Sequence, residues 1–201
     1  MAQDIILEKF NHWSARLPED KARIAVFEHI REIPYYLVPQ IADPQGWAAS
    51  ILTANKGSCS PKHYLLGMLF NRMGLEVKYV SYPFRWDKQP INYPPDLAEL
   101  AKGSPIGYHG ACKAKIDGQW VLVDATWDSA LSKAGFAVNL SWDGKGQTKN
   151  AVVPLEEVIH DNLRSRLDFV SRQRSLYTEK EKEIYVRFIE KFNLWLEGLR
   201  K

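Results

Sequence analysis

The sequence predicts an α+β protein, with helix-forming segments at both ends enclosing a central stretch that alternates an apolar helix with β-strands. Three observations carry that expectation. Apolar residues recur at helical spacing near both ends, a helix with clear start and stop signals begins at Ser60, and an Asp-Gly turn joins two β-rich segments at Asp117-Gly118. With 201 residues, 45% hydrophobic and 25% charged, the chain suits one core and is short for two, so a single domain over 1–201 is expected.

Ile6, Phe10, Trp13 and Leu17 mark a first helix. After the breaker Pro18, Ile24, Phe27 and Ile30 mark a second, which stops before Ile33-Pro34, so N-terminal helices fill residues 1–34. Residues 35–57 hold Pro39, Pro44 and Gly46 without a sustained period and read as loop around a short helix at 47–52. Next, Ser60 is a cap candidate, Pro61 suits a first turn, and Leu65, Met68, Leu69 and Met73 form an apolar face ending at Gly74. This is a buried helix with Cys59 at its N-terminal end. Leu75 to Tyr82, rich in Val and Tyr, reads as a strand.

Residues 83–107 carry five prolines together with Phe84, Trp86 and Tyr93, and read as a long loop with a short helix at 96–101. Ordered loops of that length commonly serve as lids or binding surfaces. Tyr108 to Ile116 and Gln119 to Thr126 then flank the Asp-Gly turn as antiparallel strands. Turn residues at 135–150 suggest one more hairpin, and helices are expected over 151–201. There Thr178 and Glu181 make a capping box, and Ile184, Phe188, Phe192, Trp195 and Leu199 form one apolar face directed at the core. Arg164, Arg166, Arg172, Arg174, Lys180 and Lys182 alternate with acids, as expected of a solvated helical face.

The formal charge of +3, from 27 basic and 24 acidic residues mixed along the chain, gives no reason to expect a nucleic-acid partner. Every apolar run is broken well short of a membrane span, so no membrane partner is expected. The N-terminal segment Met1 to Lys9 places Asp4 where a secretory signal needs basic residues, so a soluble, cytoplasmic protein is expected. Its two cysteines, Cys59 and Cys112, should then be free thiols. No metal site and no cofactor are expected.

A two-residue turn at Asp117-Gly118 pairs Ile116 with Gln119, and counting outward sets Ala111 opposite Asp124 and His109 opposite Thr126. His109 and Asp124 therefore share one side of the sheet within diagonal reach, whereas Cys112 falls on the other face with Ala114, Ile116, Val121 and Val123. Acyl transfer by a thiol needs a thiolate, a base and a group that orients that base. Cys59, His109 and Asp124 are the candidates, and the helix start gives Cys59 N–H groups and a dipole that favour an anion and a developing oxyanion. Asn55 is a weaker candidate oxyanion donor, with a loop-capping role as its alternative. Trp86 is the aromatic favoured to touch substrate, among Phe84, Tyr93, Trp127 and Trp142. His63, one helical turn from Cys59, lacks the further ligands of a metal site.

These blocks, Gly57-Ser58-Cys59, Met73-Gly74-Leu75, Tyr108-His109 and Gln119-Trp120-Val121-Leu122-Val123-Asp124-Ala125-Thr126, resemble the transglutaminase-like superfamily of papain-related thiol enzymes, with intervals of 50 and 15 residues between the three reactive positions. Ile30 to Tyr36 resembles the segment preceding the core in bacterial members, so the resemblance runs over about 24–128 with its core at 47–128. It implies a papain/transglutaminase-like core in which a Cys-bearing central helix packs on an antiparallel sheet. It also implies cysteine-dependent acyl transfer on a peptide, protein or small amide substrate. Ser58 and Ser60 stand where cross-linking members place Gln and Trp, which favours hydrolysis over cross-linking. The alternative is a non-catalytic peptide-binding module on the same fold.

Overall fold

The structure is a computed structural model and describes residues 2–38 and 43–201, so Pro39 lies outside the described residues. Helices α1 (Ala2–Ser14), α2 (Glu19–Glu32), α3 (Pro44–Ala54) and α4 (Cys59–Arg72) precede strand β1 (Val77–Phe84). Then come α5 (Pro95–Gly103), β2 (Gly107–Ile116), β3 (Gln119–Val123), β4 (Val158–His160), α6 (Leu163–Ser175) and α7 (Glu179–Leu199). The strands form one antiparallel sheet of order β3-β2-β1-β4. The fold class is α+β.

Strand alternation decides the two cores. Cys112, Ala114, Ile116, Val121 and Val123 face the helical layer of α2, α3 and α4, where Leu65, Leu66, Leu69 and Phe70 are fully buried. Val80, Ala111 and Leu122 point the other way, into a second core closed by Leu97 of α5 and by Phe188, Phe192 and Leu196 of α7. The C-terminal apolar stripe is thus spent on the protein's own core. The turn between β2 and β3 has Asp117 at φ 49° and Gly118 at φ 80°, the two positive values that a type I′ hairpin requires.

Lys62 locks this arrangement from inside α4. Its fully buried ammonium donates to the carbonyls of Arg31 (3.0 Å), Ile33 (2.8 Å) and Thr126 (2.7 Å), joining the end of α2 to the chain leaving β3. Burial pulls this amine down to about 7 in spite of the nearby Asp128 and Asp124.

Several expectations need correction. The first strand begins at Val77 and runs on to Phe84. The third ends at Val123, short of Thr126, because the chain turns away there to bury the Asp124 carboxylate. Residues 137–157 form no hairpin, and instead the three-residue β4 pairs with β1 inside the stretch read as helical. Three residues are too few to leave a period in the sequence. Segment 83–107 is mostly folded, with a 3-10 turn at Trp86–Lys88 and α5 packed on α7. The solvated-face reading suits Arg164, which pairs with Asp168, and fails for Arg166, which is 1% exposed.

Candidate active site

Cys59 is placed by the chain on both sides of it. Gly57 forms a parallel bridge with Tyr35, donating to the Pro34 carbonyl (3.0 Å) and accepting from Tyr36 (3.1 Å), so the entry to α4 is strapped to the end of α2. Cys59 is the first residue of α4, and amides of a first helical turn have no acceptor within the helix. One turn on, the His63 ring accepts from the Ala125 N–H at Nε2 (3.0 Å) and so carries its proton on Nδ1, which donates to the Cys59 carbonyl (2.8 Å). Burial brings His63 down to about 4, keeping it neutral. It braces the backbone of Cys59 through that carbonyl.

His109 stands on β2 opposite Tyr82, whose ring stacks on it. Its Nε2 lies 2.8 Å from Asp124 Oδ2, leaving Nδ1 to meet the Cys59 thiol. Asp124, one residue past β3, also accepts from the N–H groups of Ala151 (2.8 Å) and Thr126 (3.1 Å). Its own backbone N–H donates to Thr148 Oγ1 (2.8 Å), and its carbonyl accepts from Asn139 Nδ2 (2.9 Å). The carboxylate is therefore held on all sides and can only face His109.

Electrostatics follow from that packing. Burial opposes ionisation of Asp124, yet His109, His63 and the Thr126 hydrogen bond hold it well below the usual carboxylate range. Burial likewise disfavours imidazolium, but Asp124 and Cys59 lift His109 to about 9. For Cys59, burial would raise the thiol; hydrogen bonding and charge from His109, the Gly110 N–H at 3.5 Å from Sγ, and Arg166 outweigh it and bring it down to about 6. Around neutral pH the favoured state is thiolate with imidazolium.

Cys59 and His109 both line a cavity of about 370 Å³. Tyr35, Leu37, Phe84, Trp86 and Trp127 line it together with Tyr185, Val186 and Ile189 of α7. Trp86 therefore lines the cavity, as do Phe84 and Trp127, whereas Tyr93 packs under α7 and Trp142 packs on Phe27 and Phe70. Asn55 is not brought to the site. It caps α3 in a left-handed conformation (φ 48°) with its side chain exposed, while burial and the neighbouring Cys59 thiol push the Tyr35 hydroxyl well up. Cys112 is buried among apolar groups, which pushes its thiol up. Among the described residues no His, Cys, Asp and Glu cluster suits a metal ion, and no helix is long and apolar enough to cross a membrane.

No family model and no curated protein matches the chain. Among solved structures it is similar to a candidate cysteine protease from Cytophaga hutchinsonii, at 17% identity and a TM-score of 0.43, over 80% of this chain and 47% of that one. The chain spans about half of that protein. So distant a likeness leaves the chemistry to be argued from the site itself.

Sequence reasoning did not find Tyr35, Gly110, Ala151 or the α7 wall, and it misplaced Arg166. None has a local signal, since each reaches the site through the order of the strands and the path of residues 137–157.

Proposed function

We propose that the protein is a cysteine-dependent acyl-transfer enzyme acting on amides, hydrolysis being its main outcome, on a core of transglutaminase-like type. The observation that carries this reading is the buried His109, which meets both the Cys59 thiol and the Asp124 carboxylate and lines, with Cys59, an accessible cavity. His109 takes the thiol proton, and the thiolate adds to the amide carbonyl. The oxyanion is met by the Cys59 N–H at the start of α4 and by the Tyr35 hydroxyl. As the intermediate collapses, His109 returns the proton to the departing amine and a thioester remains on Cys59. Water, deprotonated by His109, then attacks the thioester and expels the thiolate, while an amine in its place gives transfer.

The walls are mostly aromatic and aliphatic, which favours an acyl group with an apolar side chain. The test compares wild type with Cys59→Ala on peptide, isopeptide and small amide libraries, with and without added amine. Product formation by wild type alone supports the reading. Equal product from both proteins would sink it, and an unreactive Cys59 with retained peptide binding would favour a binding module.

A further inference from the structure

Among the described residues, Arg166 is a buried cation without an anion. Its guanidinium meets only neutral acceptors: Nε donates to the Val80 carbonyl (3.2 Å), and Nη1 donates to Ser60 Oγ (3.2 Å) and the Tyr64 hydroxyl (2.6 Å). Nη2 is buried with no partner among the described residues. The other buried arginines each reach a glutamate, Arg23 at 3.8 Å and Arg31 at 2.7 Å. Among the described residues Arg166 pairs with no carboxylate, although desolvating an uncompensated charge is costly. Its position makes the discrepancy sharper, because Ser60 lies in the first turn of α4, where the helix dipole disfavours a cation.

The sheet nevertheless makes room for it. A Cβ at Gly110 would overlap Arg166 Nη2, so only glycine admits the guanidinium there. The N–H of that same glycine donates to Cys59 Sγ at 3.5 Å. Guanidinium and thiol thus converge on one residue, next to His109. The charges then balance in one way: Asp124 offsets the His109 imidazolium, and among the described residues the group left to offset Arg166 is the Cys59 thiolate.

We infer that Arg166 is a positioning residue for the proposed reaction, its guanidinium serving as the fixed counter-charge of the Cys59 thiolate across Gly110 and Ser60. This rests on reading Cys59 as the nucleophile. Acylation turns the thiolate into a neutral thioester and leaves Arg166 unpaired, so the same charge favours the second collapse, in which the C–S bond breaks and the electron pair returns to sulfur. Other titratable groups around the pair do not supply the missing anion. Cys59 is faced by His109 of β2, Tyr35, Tyr185 of α7 and the neutral His63 of its own helix, with Arg174 of α6 and the solvent-exposed Glu190 of α7 also lining the cavity. Arg166 is faced by Tyr64 of α4, by Tyr79 of β1, whose burial pushes it up, and by His160 of β4, whose burial lowers it.

The experiment measures iodoacetamide alkylation of Cys59 against pH, by intact mass and peptide mapping, for wild type, Arg166→Gln, Arg166→Met and Arg166→Lys, with near-ultraviolet circular dichroism reporting the fold. Neutral replacements should move the alkylation limb upward by about one pH unit or more, slowing reaction near pH 6 about fivefold or more, while Arg166→Lys stays within about threefold of wild type. A folded neutral variant with the wild-type limb would overturn the inference. If neither neutral variant folds, Gly110→Ala displaces the guanidinium without removing it, and an unchanged limb there overturns it equally. A wild-type limb at the value of a model thiol, about 8.5, would instead sink the nucleophile reading itself.

Discussion

Replacing Asp124 by Asn keeps the side chain's volume and removes its charge. Asp124 Oδ2 accepts from His109 and Ala151 and Oδ1 accepts from Thr126, so whichever way the new amide turns, its NH2 group confronts a donor. The better orientation keeps oxygen toward His109 and orphans the buried Thr126 N–H, at a cost of about 1–3 kcal/mol. The electrostatic effect is larger in its consequence. Against burial, Asp124 and Cys59 lift His109 from 6.5 to about 9, which at ~1.4 kcal/mol per tenfold corresponds to roughly 3 kcal/mol favouring imidazolium. Without the carboxylate, burial draws the imidazole below its ordinary value and the Cys59 thiol climbs back toward about 8.5. Near pH 6.5 the thiolate then falls from most of the protein to about 1%, a loss of roughly 50- to 100-fold in alkylation rate.

Rates of Cys59 alkylation from about pH 5 to about pH 9.5 measure this directly, with urea unfolding in parallel. The stability gap between the two proteins has a sign of its own. His109 is raised in the folded state, so its pairing contributes fully below 6.5 and is lost as pH rises through about 9. Asp124 is depressed, so its contribution is present above 3.8 and is lost on acidification below that value. The gap should therefore be widest between those limits. An Asp124→Asn protein that folds and alkylates near pH 6.5 within about threefold of wild type would refute the reasoning.

On an amide substrate, kcat/KM should be bell-shaped, with limbs near 6 for the Cys59 thiol and near 9 for His109; a profile flat from about 5 to about 10 would exclude the pair as the reacting groups. Cys112 should resist iodoacetamide in the folded protein and react once urea exposes it, so native labelling at Cys112 as fast as at Cys59 would contradict its burial. Lys62→Met orphans three carbonyls and should lower unfolding stability by at least about 2 kcal/mol in urea; an unchanged midpoint would show that the ammonium is not what joins α2 to the chain after β3. A Cβ at position 67 would overlap the Tyr79 hydroxyl, so Gly67→Ala should cost about 1–3 kcal/mol through forced repacking, and a fully stable variant would mean that Tyr79 moves freely.

Features that depend on neighbours along the chain are legible in the amino-acid sequence. The capping box at Thr178 and Glu181 forms as its spacing requires. The Asp117-Gly118 turn sets a register in which Cys112 pairs with Val123, and that parity sends Cys112 to one core while His109 keeps to the other side of the strand. Such signals survive because helix and hairpin geometry repeat every few residues. Asn55 illustrates the limit: its closeness to Cys59 in sequence left a shared site and a loop cap both open, and the left-handed turn ending α3 makes it the cap, with its side chain exposed.

By itself, then, the sequence determined the α+β class, the hairpin register and a helix start beside Cys59, all of which follow from local periodicity and turn chemistry. Only the tertiary structure decided what surrounds that thiol. Tyr35 arrives through a bridge to Gly57, Ala151 through a loop without periodic structure, the α7 wall from the far end of the chain, and Arg166 through a gap that only a glycine leaves open. Contacts between residues far apart in the chain depend on the order of strands and the close fit of side chains, and neither leaves a repeat in the sequence. Arg166 reads as one more surface arginine until the sheet and α4 close around it beside Cys59.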